Sequence, residues 1–333
     1  MLKSSRTVLA ALVASAVLGL SGCASGGPEQ GDASAPPSQS AFPVTIGHIY
    51  GSTVIQAEPK RVVTVGSTDH DTVLALGVTP VAVSAWRGAA FHPWNESSVG
   101  ATRPVELSDQ STAINIEEVV AQKPDLIIAI WSSITQAEYD QLSKIAPVVA
   151  PDSAYPVFGA PWQATTRTVG KALGKSAEAE KVITDTEGEI AAAKAANPAL
   201  VGKKVLIAAD FGAGEAYPTP PTDVRYGVLT GLGMDSSVPG LADVSTLSFE
   251  ESGKLNAADV LVWITIPGAT VEQNPVYLAQ PVHLQGRDVF TNADQGLALT
   301  YSTVLSIPYT LKNLVPKLTS AADGDPATAV AAA

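Results

Sequence analysis

The chain has 333 residues, is 46% hydrophobic, and carries a formal net charge of −12 from 20 Lys and Arg against 32 Asp and Glu. A nucleic-acid binder needs a surplus of basic groups to displace counterions, so nucleic acid is a poor partner for this chain. Its single cysteine excludes an internal disulfide and a thiolate zinc cluster.

Residues 1–22 have the pattern of a bacterial lipoprotein signal peptide. Lys3 and Arg6 precede an apolar run over 8–20, which at about 13 residues is too short to span a bilayer as a helix. The sequence Leu-Ser-Gly-Cys that ends at Cys23 resembles the lipobox, whose cysteine is diacylated and becomes the first mature residue. We therefore predict lipidation at Cys23 and a location on the extracytoplasmic face of the cytoplasmic membrane.

The next segment, 23–40, is built from Gly, Ser, Pro, Ala, Asp and Gln, which have nothing to bury, and it is predicted to be a flexible tether. A hairpin follows, in which 44–46 and 53–55 flank Tyr50-Gly51-Ser52. Strands and helices then alternate. In chain order they are strand 62–65, helix 68–76, strand 81–85, helix 116–121, strand 125–130, helix 138–145 and strand 148–149. The apolar run in 125–130 is typical of a strand buried on both faces of a parallel sheet.

Two helices, 162–173 and 177–194, meet at Gly174 and separate this half from a second alternating half. The predicted elements there are strand 204–211, helix 225–232, helix 249–258, strand 260–264, strand 288–291 and a final helix 302–318. The sequence therefore predicts an α/β fold of two lobes, 41–159 and 199–333, tied by a helical segment over 160–198. A ligand cleft is expected between the lobes, at the carboxyl ends of their strands.

Several short motifs recur in the order found in a known family. They are Pro59-Lys60-Arg61-Val62-Val63, Ala75-Leu76-Gly77-Val78, Gly100-Ala101-Thr102-Arg103-Pro104, Ile114-Asn115-Ile116-Glu117, Lys123-Pro124-Asp125-Leu126, Leu142-Ser143-Lys144-Ile145-Ala146-Pro147, Ala172-Leu173-Gly174 and Gly286-Arg287-Asp288-Val289. Over about 42–320, the chain resembles the helical-backbone substrate-binding lipoproteins of ABC importers for ferric siderophores, haem and cobalamin.

The resemblance implies two α/β lobes joined by a single long helix, with no catalysis and no resident cofactor. It implies a monomer that captures a ferric siderophore and delivers it to an ABC importer permease. Three alternatives stay open: the same fold binding haem or cobalamin, a cell-envelope interaction protein with a degenerate cleft, and an extracytoplasmic hydrolase. No complete phosphate-binding loop, dinucleotide motif, nucleophile elbow or His-Glu-x-x-His motif is present to favour an enzyme.

The resemblance also implies a docking pair. Glu117 and Glu250 match positions where relatives carry one carboxylate on each lobe to meet arginines of the permease. Both could instead be ordinary acids at a helix start, where the helix dipole favours them.

Candidate ligand contacts in the first lobe are Arg103, Trp86, Arg87 and Trp131. Arg103 matches a cleft arginine of the hydroxamate binders, with a surface salt bridge as the alternative. The chain departs from the family pattern directly after it, by an insertion over 105–113. The other three follow predicted strands, where aromatic and guanidinium groups can contact a chelate.

In the second lobe, Arg225 and Tyr226 open a helix after a Pro-rich loop, and Tyr301 matches a loop aromatic of the relatives. Each is a candidate ligand contact. Of the four histidines, His48, His70, His92 and His283, at most His70 and His92 fall in regions predicted to face the cleft, so no dedicated metal site is expected.

Overall fold

The structure is a computed structural model that describes residues 41–84, 89–108, 113–212, 214–265 and 268–325. The predicted signal peptide, the lipidation site at Cys23 and the tether lie outside the described residues, as do Trp86 and Arg87. Within the described ranges, no helix is both long enough and apolar enough to cross a bilayer.

The predicted hairpin is present. Strands β1 (Val44–His48) and β2 (Gly51–Ile55) pair antiparallel, with Val44 opposite Ile55. Burial alternates along both strands, and Ile46 and Ile55 point into the core of the first lobe. The hairpin therefore covers one face of the sheet that follows it.

A parallel sheet forms the centre of the first lobe, with the order β5-β4-β3-β6-β7 among the described residues. Its strands are β3 (Val62–Thr64), β4 (Ala82–Ser84), β5 (Val105–Leu107), β6 (Leu126–Ile128) and β7 (Val148–Val149). The helices of this lobe are α1 (Asp69–Ala75), α2 (Ile116–Ala121) and α3 (Gln136–Leu142). All of β6 is buried, and apolar clusters pack on both faces of the sheet, as the apolar run predicts.

Two helices connect the sheets, α4 (Trp162–Ala172) and α5 (Ser176–Ala196). Gly174 lies between them at a φ of +70°, and a Cβ there would come within 2.5 Å of the Phe42 ring, so only glycine fits. The longer helix, α5, contributes Ala179 to the core of the first lobe and packs Ile190 against Val228 of the second. It is therefore the long helix that spans both lobes.

The second sheet has the order β10-β9-β8-β11-β12 among the described residues. Its strands are β8 (Val205–Asp210), β9 (Glu215–Pro218), β10 (Leu247–Ser248), β11 (Val260–Thr265) and β12 (Asp288–Phe290). Strands β8, β11 and β12 run parallel, whereas β9 and β10 each run antiparallel to their neighbour. Apolar clusters cover both faces of this sheet too. The α-helices that follow β8 are α6 (Tyr226–Gly231), α7 (Pro275–Leu278), α8 (Pro281–Leu284), α9 (Ala293–Tyr301), α10 (Ser306–Asn313) and α11 (Val315–Ala321).

The predicted single final helix over 302–318 is wrong. Helix α9 ends at Ser302, whose backbone is left-handed with a φ of +47°, a conformation that stops an α-helix. The chain restarts through reciprocal hydrogen bonds, in which Thr303 N donates to Ser306 Oγ and Ser306 N donates to Thr303 Oγ1. Pro316 then opens α11. The turn at Ser302–Thr303 places both residues at the lobe interface.

Two further segments differ from the prediction. Phe249–Ala257 is a 3₁₀-helix and not an α-helix. Val105–Leu107, inside the segment treated as an insertion over 105–113, adds the edge strand β5 to the first sheet. Strands β5, β9 and β10 are short and lack an apolar run, which is why the sequence pattern does not predict them.

Candidate functional site

Two adjoining cavities of about 320 and 420 Å³ lie between the lobes. Both are lined by Trp131 of the first lobe and by Asp223, Val224 and Tyr301 of the second. The remaining lining residues are Ser67, Thr68, Thr72, Ser133, Phe158, Gly159, Ala160, Pro161, Trp162, Gln163, Thr165, Pro221, Thr222, Arg225, Tyr226, Gly227, Thr230, Thr300, Ser302 and Thr303. The surface combines aromatic rings with many hydroxyl groups.

The buried carboxylate of Asp69 holds the loop that carries Trp131 into the cavities. Asp69 has no exposed surface, and it accepts hydrogen bonds from the backbone N–H of Ile130 (2.8 Å) and of Trp131 (3.0 Å) in the loop after β6. Burial raises the pKa of Asp69 to about 7, against the opposing effect of backbone hydrogen bonds from Trp131, Ile130 and Gly66. Trp131, fixed in this way, lies 5.4 Å from Phe158 between ring centroids.

An ion pair forms the charged part of the second-lobe wall. Arg225 Nε donates to Asp223 Oδ1 and Arg225 Nη2 donates to Asp223 Oδ2, each at 2.8 Å. Burial alone would raise the pKa of Asp223, but the hydrogen bonds and the charge of Arg225 outweigh it, and the pKa lies below its ordinary value. The pair is thus a charged, bidentate contact in the cavity lining.

Tyr226 has a structural contact behind the same wall. Its hydroxyl donates to the Thr219 carbonyl (3.2 Å) and accepts from Ile207 N–H (2.9 Å), and burial raises its pKa to about 12. The residue is 2% exposed, and its hydroxyl is engaged by these backbone groups although Tyr226 lines the cavity.

The lobes are also joined directly, beside the cavity. Asp71 on α1 accepts hydrogen bonds from Asn95 Nδ2 (2.6 Å), Trp94 Nε1 (3.0 Å) and, from the second lobe, Thr303 Oγ1 (2.5 Å). The Trp94 ring packs edge-to-face on Tyr301, with 5.8 Å between centroids. This buried network, which sequence reasoning missed, fixes the first lobe to the turn after α9.

Arg103 lies among neither set of lining residues. It is exposed, and its guanidinium contacts the carboxylates of Glu96 (2.5 Å) and Glu106 (3.7 Å) above the Phe91 ring, 4.2 Å from its centroid. The carboxylates raise the pKa of Arg103, chiefly through the hydrogen bond to Glu96. A direct contact of Arg103 with ligand stays a prediction.

The two proposed docking acids lie on different lobes. Glu117 is in the first turn of α2 and Glu250 in the first turn of the 3₁₀-helix Phe249–Ala257, and both are exposed. Their positions are accessible to a partner, and their role stays a prediction.

Of the candidate ligand contacts within the described residues, the structure brings Trp131, Arg225, Tyr226 and Tyr301 to the cavities. Sequence reasoning missed Asp223, because an acid two residues before Arg225 permits an ion pair but does not determine that the two side chains meet. Among the described residues, no group of three or more His, Cys, Asp or Glu is arranged to hold a metal ion.

Comparison with known proteins gives consistent matches. Residues 62–277 match the family described as periplasmic binding protein. A probable siderophore-binding lipoprotein of Bacillus subtilis is 32% identical over 149 residues, which are 44% of this chain and 43% of the relative. The chain therefore aligns with less than half the length of that relative.

Solved structures match over most of the chain. A periplasmic solute binding protein from Mycobacterium smegmatis is 30% identical, covers 84% of this chain and 98% of its own, and superposes with a TM-score of 0.76. Streptococcus pneumoniae PiaA in complex with ferrichrome is 28% identical, with 84% and 99% covered and a TM-score of 0.70. A second PiaA structure is described as an iron uptake ABC transporter substrate-binding protein.

Proposed function

The chain belongs to the periplasmic binding protein family, and on this premise we propose that it captures a ferric siderophore between its lobes and delivers it to an ABC importer. The observation that carries the proposal is the cavity pair lined from both lobes by Trp131, Tyr301 and the Asp223–Arg225 ion pair. The siderophore-binding lipoprotein and the ferrichrome complex among the similar proteins support the choice of cargo.

The lining suits the two kinds of surface that a ferric siderophore presents. Its organic backbone is apolar and can stack on the rings of Trp131, Phe158 and Tyr301. Its iron-bound oxygens accept hydrogen bonds, which hydroxyls such as Thr68 and Thr72 and the outer N–H groups of Arg225 can donate. Capture and release need no catalytic step and no resident cofactor, and we propose neither.

The signal-peptide pattern gives the proposed location. Diacylation of Cys23 would hold the monomeric protein at the outer face of the cytoplasmic membrane, with the tether over 23–40 separating lobes from lipid. The description of a similar Bacillus protein as a lipoprotein supports this anchor. Mass spectrometry of Cys23 in the membrane fraction tests it, since an unmodified cysteine contradicts the anchor.

Permease docking through Glu117 and Glu250 is part of the proposal. Exposed carboxylates on the two lobes can pair with basic groups on the permease and fix the docking register. We expect Glu117→Ala and Glu250→Ala each to lower iron-siderophore uptake by about tenfold without changing siderophore affinity. The control is Glu251→Ala, because Glu251 adjoins Glu250 but pairs with Lys254 (2.7 Å). Equal uptake by all three variants contradicts the docking role.

Titration of the purified protein tests the cargo. Tryptophan fluorescence is followed while ferric hydroxamate, catecholate and carboxylate siderophores, haem and cobalamin are added. We expect saturable quenching by a siderophore and at least about tenfold weaker binding by Trp131→Ala, which removes a ring shared by both cavities. Saturation only by haem or cobalamin contradicts the cargo, and no saturation by any of them contradicts the binding function.

A further inference from the structure

The charge of the cavity lining points to a class of cargo. Among the lining residues that the structure describes, the charged side chains are Asp223 and Arg225. They carry one negative and one positive charge, so this part of the lining is neutral overall. Selection among siderophores by these cavities rests on the proposed function, since it presupposes siderophore capture there.

The charges of Asp223 and Arg225 cancel at close range, because the two side chains are in direct contact. Both carboxylate oxygens of Asp223 accept from the Arg225 guanidinium, and Asp223 Oδ1 also accepts from Arg225 N–H (2.9 Å). The two side chains are 25% and 26% exposed, so the contact is shielded from solvent on most sides. The guanidinium still has N–H groups to donate to a ligand, but its positive charge is already compensated.

Arg103, the second of the three arginines expected near the cleft, is compensated as well, and Arg87, the third, lies outside the described residues. Arg103 contacts both Glu96 and Glu106. The chain as a whole carries a net charge of −12, which produces a field that repels anions. Among the lining residues that the structure describes, an anionic ligand would thus lose its hydration without gaining an unpaired cation, which is unfavourable.

Ferric siderophores differ in charge according to their chelating groups. Three hydroxamates bring three negative charges, which cancel those of Fe³⁺, whereas three catecholates bring six and leave a trianion. We infer that this cavity selects an electrically neutral ferric trihydroxamate over an anionic ferric chelate. Aromatic rings such as Trp131 and Phe158 bind its apolar faces, and hydroxyl and guanidinium N–H groups bind its hydroxamate oxygens.

The test measures how tightly the purified protein binds two ferric chelates that differ in charge. Ferrichrome serves as the neutral trihydroxamate, and the ferric complex of a tris-catecholate serves as the trianion. We expect ferrichrome to bind at least about 100-fold more tightly than the trianion. Tighter or equal binding of the trianion overturns the inference and leaves siderophore capture standing, whereas binding of neither chelate overturns the proposed function itself.

Asp223→Asn isolates the ion pair. The amide keeps an oxygen that can accept from Arg225 N–H but removes the negative charge, so we expect the preference for ferrichrome to shrink by about tenfold through stronger binding of the trianion. Asp235→Asn is the matched control, because Asp235 pairs with Lys204 (3.4 Å) in the same lobe and lines neither cavity. Thermal melting verifies that both variants fold. An equal change of preference in the two variants overturns the role of the pair.

Discussion

Each lobe has a buried aspartate after a central strand that accepts backbone hydrogen bonds from a neighbouring loop, and the two loops differ in whether they reach the cavities. Asp69 follows β3 and holds the loop after β6, while Asp210 at the end of β8 holds the loop after β11 through the N–H groups of Thr270 and Val271. Both carboxylates are fully buried. The first loop carries Trp131 into both cavities, whereas the second contributes no residue to either among those described. Among the described residues, Asp69 thus positions a cavity-lining side chain, whereas Asp210 holds a loop outside the cavities.

The largest effects are expected from Asp69→Asn and Asp210→Asn. In each variant an amide NH₂ replaces one acceptor and faces a backbone N–H, leaving buried donors unpaired. We expect each substitution to lower the free energy of unfolding by about 3 kcal/mol, measured by urea denaturation.

Siderophore affinity should separate the two variants. Under conditions where both are folded, we expect Asp69→Asn to bind at least about tenfold more weakly, because Trp131 loses its support, and Asp210→Asn to bind normally. Equal weakening of affinity in both would mean that the Asp69 contact has no special connection to the cavity.

A smaller effect is expected at the contact between the lobes. Thr303→Val removes the hydrogen bond from Thr303 Oγ1 to Asp71 and should cost about 1–2 kcal/mol of unfolding free energy. Thr310→Val is the control, since the buried Thr310 hydroxyl has no hydrogen-bond partner among the described residues. We expect the control to keep or raise the unfolding free energy, because it removes a buried hydroxyl that has no partner among the described residues. Equal losses in the two variants would contradict a specific link between the lobes.

The smallest effect concerns pH and again distinguishes the first lobe. Burial lowers the pKa of His92, against the opposing charges of Asp71 and Glu106 among its neighbours. The unfolded chain, with a histidine pKa near 6.5, therefore binds the proton more readily than the folded chain. Neutral His92 therefore contributes to the stability of the folded chain above about pH 6.5, and this contribution is lost as the pH falls below that value.

His92→Gln isolates this dependence. Between about pH 7.5 and 5.5, the unfolding free energy of the wild-type protein should fall relative to that of the variant by about 1 kcal/mol or less. The difference between the two melting temperatures, followed against pH, shows this fall. A variant that tracks the wild-type curve at every pH would show that His92 titrates alike in the folded and unfolded chains.

Much of the fold could be predicted from the sequence because its central strands are apolar runs between turn residues. The stretch 125–130 predicts the buried strand Leu126–Ile128 without any tertiary information. The break at Ser302 could not be predicted in this way, because a left-handed serine in an otherwise helical pattern depends on the contacts of the turn that follows.

The site was predictable only in part. Trp131 and Arg225 were found because they follow or open regular elements near strand ends. The Asp71–Thr303 hydrogen bond joins residues 232 positions apart, and a single sequence holds no signal for it. Pairing of Arg225 by Asp223 depends on side-chain direction, which spacing alone does not determine.

The most direct test of siderophore capture between the lobes is a crystal structure of the protein with a bound ferric trihydroxamate. Anomalous scattering would locate the iron. We expect iron in the cavity between Trp131 and the Asp223–Arg225 pair, with the chelate against Tyr301. Iron bound elsewhere on either lobe, at full occupancy and with these cavities empty, would contradict it.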